Sequence, residues 1–168
     1  MSGFSLRRTT SLDMAEIDAL LARSFPKLVR DCYPPSVMVT ALPLISRAQP
    51  WLLDCGTYYA VEHDSRIVGV GGWTVDLQTP DMGHIRHVAT DPAQVRQGVG
   101  RMLMTHIRRE AASAGMRILE CWSTRNAVPF YAALGFLELG PIDVPLQPGI
   151  TFPAIEMRMV LASALARD

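Results

Sequence analysis

No stretch of this chain approaches the roughly 18 consecutive apolar residues of a membrane-spanning helix. The opening Met1-Ser2-Gly3-Phe4-Ser5-Leu6-Arg7-Arg8 also lacks an apolar run of signal-peptide length, so a soluble protein without a membrane partner is expected. Cysteine is scarce. Cys32, Cys55 and Cys121 are odd in number and lack metal-ligand spacing, which argues against a disulfide framework and for a reducing compartment, the cytoplasm by default. An excess of one charge is missing too, because 16 basic residues balance 16 acidic ones. Without an overall field no nucleic-acid partner is expected. None of the four histidines stands at metal spacing from another strong ligand, so no metal site is expected. Repeats and low-complexity tracts are likewise absent.

What remains is a globular composition, 49% hydrophobic and 19% charged over 168 residues, enough to bury a core as a single domain spanning residues 1–168. Phe4-Ser5-Leu6-Arg7-Arg8 alternates as a short first strand. Asp13 and Glu16 then signal a helix start, and Pro26 marks its end after Phe25. Residues 34–48 read as a second helical region that opens at Pro34-Pro35 and breaks near Pro43. Thr57 to Glu62 and Arg66 to Val75 flank His63-Asp64-Ser65 as an antiparallel hairpin, with Gly71-Gly72 marking a bulge.

His84 to Thr90 forms the next strand and Asp91-Pro92 ends it. An amphipathic helix follows over residues 98–114, with Val99, Leu103, Met104, Ile107, Ala111 and Ala114 on one face and Gly115 as its cap. Arg117 to Trp122 reads as a buried strand, Asn126 to Leu134 as a short helix, Phe136 to Leu139 as a strand and Ile155 to Leu161 as the last strand. Gly140 to Gly149, rich in proline and glycine, reads as a loop. The order defines an α/β class with a mixed, mostly antiparallel sheet flanked by helices.

The chemistry concentrates after the His84 strand. In Arg96-Gln97-Gly98-Val99-Gly100-Arg101 a glycine-bearing turn opens the amphipathic helix, where free N–H groups and the helix dipole can receive a phosphate. A dinucleotide fingerprint is the rival, since Glu120 follows Gly100 by twenty residues. Leu103 stands where that fingerprint needs its third glycine, and the polar residues from Asp91 to Gln97 separate strand from glycines.

Three pieces together resemble the GCN5-related N-acetyltransferase (GNAT) family. They are His84-Ile85-Arg86-His87-Val88-Ala89-Thr90-Asp91-Pro92, then Gln97-Gly98-Val99-Gly100, then Asn126-Ala127-Val128-Pro129-Phe130-Tyr131-Ala132-Ala133-Leu134-Gly135-Phe136. The resemblance implies the acyl-CoA N-acyltransferase fold and an enzyme that passes an acetyl group from acetyl-CoA, with no metal, to a small-molecule or peptide amine. A homodimer is compatible with it. A CoA-binding sensor of the same fold is the alternative, and the acceptor's identity stays open.

The resemblance also assigns residues. The backbones of Arg96, Gln97, Gly98, Val99, Gly100 and Arg101 would cradle the CoA pyrophosphate, with Val95 where the family usually has Arg or Gln. Backbone groups of Val88, Ala89 and Thr90 would hold the thioester end and pantetheine, and Asn126 would contact the cofactor arm. Tyr131 would protonate the departing thiolate. His84 falls where histone-acetylating relatives place a catalytic glutamate, so it is the expected base, with Glu62, Asp76, His87 or Glu156 as substitutes. Cys121, with no motif-linked base, reads as a buried strand residue. His87 is expected to alternate away from His84 along the strand.

Overall fold

The computed structural model describes residues 3–161. Strands β1 (Ser5–Arg8), β2 (Tyr58–His63), β3 (Arg66–Val75), β4 (Met82–Thr90), β5 (Ile118–Ser123), β6 (Leu137–Gln147) and β7 (Ile150–Val160) build one sheet in the order β1-β2-β3-β4-β5-β7-β6. All neighbours are antiparallel except β4 and β5, which run parallel. Helices α1 (Met14–Val29), α2 (Pro35–Thr40), α3 (Leu42–Ile45) and α4 (Pro50–Leu53) precede β2, while α5 (Val99–Ser113) and α6 (Val128–Ala133) lie on either side of β5 in sequence.

Alternation along the strands sorts the core into faces. Tyr59 and Val61 of β2 join Trp73 and Leu119 on one side, where α5 buries Val99, Leu103, Met104, Ile107 and Ala111. Tyr58 and Ala60 face the other way, against Ile17, Leu20 and Leu21 of α1. Each Val, Leu, Ile or Met side chain among them contributes about 1.5–3 kcal/mol by leaving water. Ala114, expected on the buried face of α5, is exposed past the helix end. Gly115 follows at φ +91°, and Met116 N donates back to Ala111 O at 3.0 Å, closing the helix as expected.

Several boundaries differ from expectation. The helix start is capped by Thr10, whose side chain and Asp13 form a capping box; Glu16 instead accepts the amide of Ile67 on β3 at 2.7 Å. Helix α1 runs through Pro26 to Val29. A proline in a helix interior costs about 3 kcal/mol, and burial of Val29 beside Tyr33 and Phe152 offsets it. Most of the stretch from Gly140 to Gly149, expected as a loop, belongs to β6, and β7 starts at Ile150, before the expected Ile155. The turn between β2 and β3 carries Asp64 at φ 50° and Ser65 at φ 63°, the twin left-handed residues of a type I′ hairpin.

The bulge sits across from the glycines. Val70 pairs with Ala89 and Gly72 with Arg86, so Gly71 alone faces His87 and Val88, and the extra residue belongs to β4. His87 adopts φ 44° there.

Gly72 marks the tightest backbone approach. A Cβ at this position would lie 2.3 Å from Thr57 O and 2.7 Å from Tyr58 Cα, both backbone atoms that cannot rotate away. Gly72→Ala is expected to lower unfolding free energy by about 3 kcal/mol in urea titration. A loss under about 0.5 kcal/mol would show that β2 and β3 can shift apart there without cost.

Candidate active site

Strands β4 and β5 pair only from Met82–His84 with Ile118–Glu120. Beyond that point they part, leaving the edge of β4 from Ile85 onward without a neighbouring strand. Two cavities open along the parting. The first, ≈ 340 Å³, is bounded by His84 to Val88 of β4, by Cys121 and Trp122 of β5, and by Val144 and Phe152 of the β6–β7 hairpin. The second, ≈ 710 Å³, runs between Ser24 and Leu28 of α1, the end of β4, the turn before α5, and Phe130 of α6. Phe25, Val88, Thr124, Ala127 and Tyr131 border both.

Of the residues expected to hold a cofactor, Val88, Ala89, Thr90, Arg96, Gly98, Val99, Gly100, Arg101 and Asn126 line the second cavity. Gln97 is exposed and lies outside that lining. Arg96 at φ 68° and Gly98 at φ 87° turn the chain into α5. The first bond closing the helix is Met102 N to Gly98 O at 2.9 Å, and the amides of Val99, Gly100 and Arg101 find no acceptor among the described residues. Three N–H groups at a helix start therefore face a cavity, the arrangement that binds anions. Gly100 keeps the wall thin, since a Cβ there would meet Phe130 Cζ at 3.1 Å. Asn126 lies in the 3-10 turn Arg125–Ala127 and caps neither that turn nor α6, whose N-cap is Ala127. Val99 points its side chain into the core, so only its backbone is available to the groove.

Tyr131 stands where the cavities meet. It is buried against Phe130 and Phe136, and burial, with a smaller effect of Cys121, pushes its phenol well above the usual range. Cys121 is buried too, and desolvation, aided by neighbouring Glu120, pushes its thiol up to about 12.

His84 borders the first cavity inside a charged cluster. Its Nε2 lies 2.6 Å from Asp76 Oδ2 and its Nδ1 3.4 Å from Glu120 Oε1. Asp76 also accepts the amides of Gln78 and Thr79; the His84 hydrogen bond first, then these amides, hold its carboxyl below the ordinary value of 3.8. Glu120, only 4% exposed, accepts from Arg158 Nε at 2.6 Å and Trp122 Nε1 at 3.0 Å. Glu156 joins through Arg158 at 3.6 Å, whereas Glu62 pairs with Arg7 on the far side of the sheet.

His87 departs from expectation. The bulge breaks the alternation, so His87 lines the same cavity as His84. Burial, with a smaller push from Arg86, pulls its imidazole down to about 4, and its buried Nδ1 has no hydrogen-bond partner. Sequence reasoning missed Glu120 as part of the cluster, weighing it only as a ribose ligand; the available signal was a carboxylate between Leu119 and Cys121 in an otherwise apolar strand. Arg86 was passed over as well, although it stands two residues from His84 on a sheet-interior strand.

Among the described residues no group of three or more His, Cys, Asp or Glu could hold a metal ion, and no helix is long and apolar enough to cross a membrane.

The chain belongs to the acetyltransferase (GNAT) family, whose model matches residues 16–136. No curated protein sequence matches it significantly. Among solved structures it is similar to a GCN5-related N-acetyltransferase from Rhodopseudomonas palustris, with a TM-score of 0.80 and 21% identity over 96% of this chain and 98% of that one. The ribosomal-protein-S18-alanine N-acetyltransferase of Escherichia coli aligns with a TM-score of 0.65 and 20% identity over 99% of both chains. N-acetylglutamate synthase from Neisseria gonorrhoeae, complexed with coenzyme A and N-acetyl-glutamate, gives a TM-score of 0.69 and 19% identity over 96% of this chain and 36% of that one. Likeness at these identities concerns the fold, a mixed α/β sheet flanked by helices.

Proposed function

We propose that this chain, acting as one catalytic unit over residues 1–168, transfers an acetyl group from acetyl-CoA to the primary amine of a small-molecule or peptide acceptor by direct attack. The observation that carries the reading is the meeting of two cavities at Val88 and Tyr131, one bordered by free helix-start amides and the other by ionisable side chains. Three unpaired thiols, one of them exposed, support a reducing compartment such as the cytoplasm.

The second cavity fits the cofactor. Its ≈ 710 Å³ lies within the range of cofactor pockets. The amides of Val99, Gly100 and Arg101, with the dipole of α5 behind them, suit a pyrophosphate. The unpaired edge of β4 at Val88, Ala89 and Thr90 offers backbone groups to an extended amide-bearing arm, with Asn126 opposite. Acetyl-CoA bound there supplies an acetyl group activated as a thioester.

The chain's own residues do the rest. A backbone N–H on the β4 edge stabilises negative charge as it develops on the acyl oxygen. Tyr131, kept protonated by burial, donates its phenolic proton to the departing sulfur. Cys121 supports direct transfer rather than a covalent acyl-enzyme, because a thiol at about 12 without a hydrogen bond to a base among the described residues is a poor nucleophile. His84 takes the proton of the attacking amine, directly or through a water, and shares the charge with Asp76 and Glu120 beside it.

Acetyl-CoA is expected to raise the melting temperature of the wild-type chain while NAD and NADP leave it unchanged. Gly98→Ala adds a Cβ with no protein atom within 4 Å, at a left-handed position that costs about 1–2 kcal/mol. Calorimetry should show acetyl-CoA affinity lowered about tenfold or more in a still-folded variant, and unchanged affinity would make the turn purely structural. Tyr131→Phe should keep cofactor affinity and slow turnover about 10²-fold to 10⁴-fold; full activity would transfer the proton-donor role to solvent. His84→Ala should depress the rate most near neutral pH and remove the acidic limb of the kcat/KM profile. An unaltered profile eliminates His84 as the base.

A further inference from the structure

Arg86 lies two residues beyond His84 on β4, so both side chains leave the same face of the strand and both line the first cavity. Its Nε donates to Thr74 Oγ1 at 2.9 Å, and its guanidinium carbon sits 5.8 Å from the centre of the Trp51 ring. These contacts hold the group in place and leave most of its donors unused. Among the described residues no carboxylate pairs with it, whereas Arg23 has one and Arg7 and Arg158 have two each.

The acids around the cavity are already engaged. Asp76, whose charge acts on Arg86, gives one oxygen to His84 and the other to the amides of Gln78 and Thr79. Glu120 is held by Arg158 and Trp122. Partial burial pulls the Arg86 guanidinium below its ordinary value, with the Asp76 charge opposing the shift, and arginine stays charged at neutral pH. A second polar group beside it is also unmatched, the buried Nδ1 of His87. With its imidazole at about 4, that ring is neutral at pH 7 and adds no positive charge beside Arg86.

We propose that the acceptor is a small amine bearing a carboxylate, an amino acid in the broad sense, and that Arg86 anchors its carboxylate. The inference rests on the acetyl-transfer reading and adds the acceptor's class. A guanidinium fork matches a carboxylate with two parallel hydrogen bonds, and the donors that Thr74 leaves unused are free to make them. The same molecule's amine then lies toward the Asp76, His84 and Glu120 cluster, which is suited to accept its proton. The cavity's ≈ 340 Å³ and its apolar side at Ile85, Val144 and Phe152 suit a small molecule of this kind. Arg86 is a specificity-determining residue here and takes no part in moving protons.

The test is a panel of the α- and ω-amino acids, each beside its carboxamide and its decarboxylated amine, assayed for acetyl-CoA-dependent thiol release. The wild-type chain is expected to favour at least one carboxylate over its carboxamide by about tenfold to 100-fold in kcat/KM, the effect of one charge-assisted pair. Arg86→Met should raise KM for that acceptor by a similar factor and erase the preference. Its kcat and the melting shift given by acetyl-CoA should stay near wild type. Arg86→Lys, which keeps the charge and loses the fork, should fall between them and guards against a Met variant that does not fold. Equal use of carboxamides or plain amines overturns the proposal, as does a preference that survives Arg86→Met. It is also overturned if no amino acid is acetylated while acetyl-CoA still stabilises the chain. If acetyl-CoA gives no stabilisation, the acetyl-transfer reading fails first and takes this inference with it.

Discussion

The parting of β4 from β5 after three paired residues is the constraint on which the rest of the site depends. A strand in the middle of a sheet normally spends both edges on its neighbours, and buried backbone groups left unpaired cost free energy. Here β4 keeps β3 along one edge while the other faces the two cavities from Ile85 onward. The two-residue bulge at His87 and Val88 bends β4 where the gap opens, and Gly71 opposite leaves room for Val88, whose Cγ2 would stand 2.9 Å from a Cβ there. Tyr131 and Ala127 border both sides of the opening. One irregularity in one strand therefore exposes a polar backbone edge, seats a histidine in the left-handed region and creates the junction of the cavities.

At the closed end of the gap, where the strands still pair, His84 on β4 stands opposite Glu120 on β5. Burying a carboxylate to 4% exposure is costly unless its charge is matched. Arg158 from β7 and the Trp122 indole supply the match, and the His84 ring completes it. The cluster draws on β4, β5, β7 and Asp76 just past β3. It thereby ties the last point of parallel pairing to the antiparallel strands on both sides, and gives the first cavity a rigid polar end.

How much of this was legible depends on whether a feature is local. The β2–β3 hairpin, α5 with its glycine cap and the β5 strand announce themselves by short-range chemistry, and the residues expected to form the cofactor turn do line one groove apart from Gln97. Strand β6 was hidden by Pro141 and Pro145, read as loop signals. Both proline positions lie on the outermost strand; their even spacing puts the two missing N–H groups on one edge, and prolines are accepted on such an edge strand when that edge is the open one. Pro153 is tolerated for a related reason: it lies beyond Ile155, the last residue of β7 that β5 pairs. The end of α1 was misjudged at Pro26 because the compensating burial of Val29 comes from Phe152, far away in sequence. The bulge, and with it the turn of His87 into the cavity, follows from register between β3 and β4, which no single strand reveals.

The two cavities also divide the chemistry in a way that bears on divergence. The groove at α5 presents main-chain amides, so its character survives a change of side chain such as Val95 at the position usually held by Arg or Gln. The cavity at β4 and β5 presents side chains, among them His84, Arg86, His87 and Trp122, closed over by Val144 and Phe152 of the β6–β7 hairpin. A substitution there alters charge and shape directly, while the sheet registers and the helix-start amides beneath are untouched. On the proposed reading, selection for a new acceptor acts on the second set without disturbing the first. A fold arranged in this way keeps its architecture at low sequence identity, and if the proposed acetyl transfer holds, acceptor preference has to be argued from the charges of the β4–β5 gap rather than from the family to which the chain belongs.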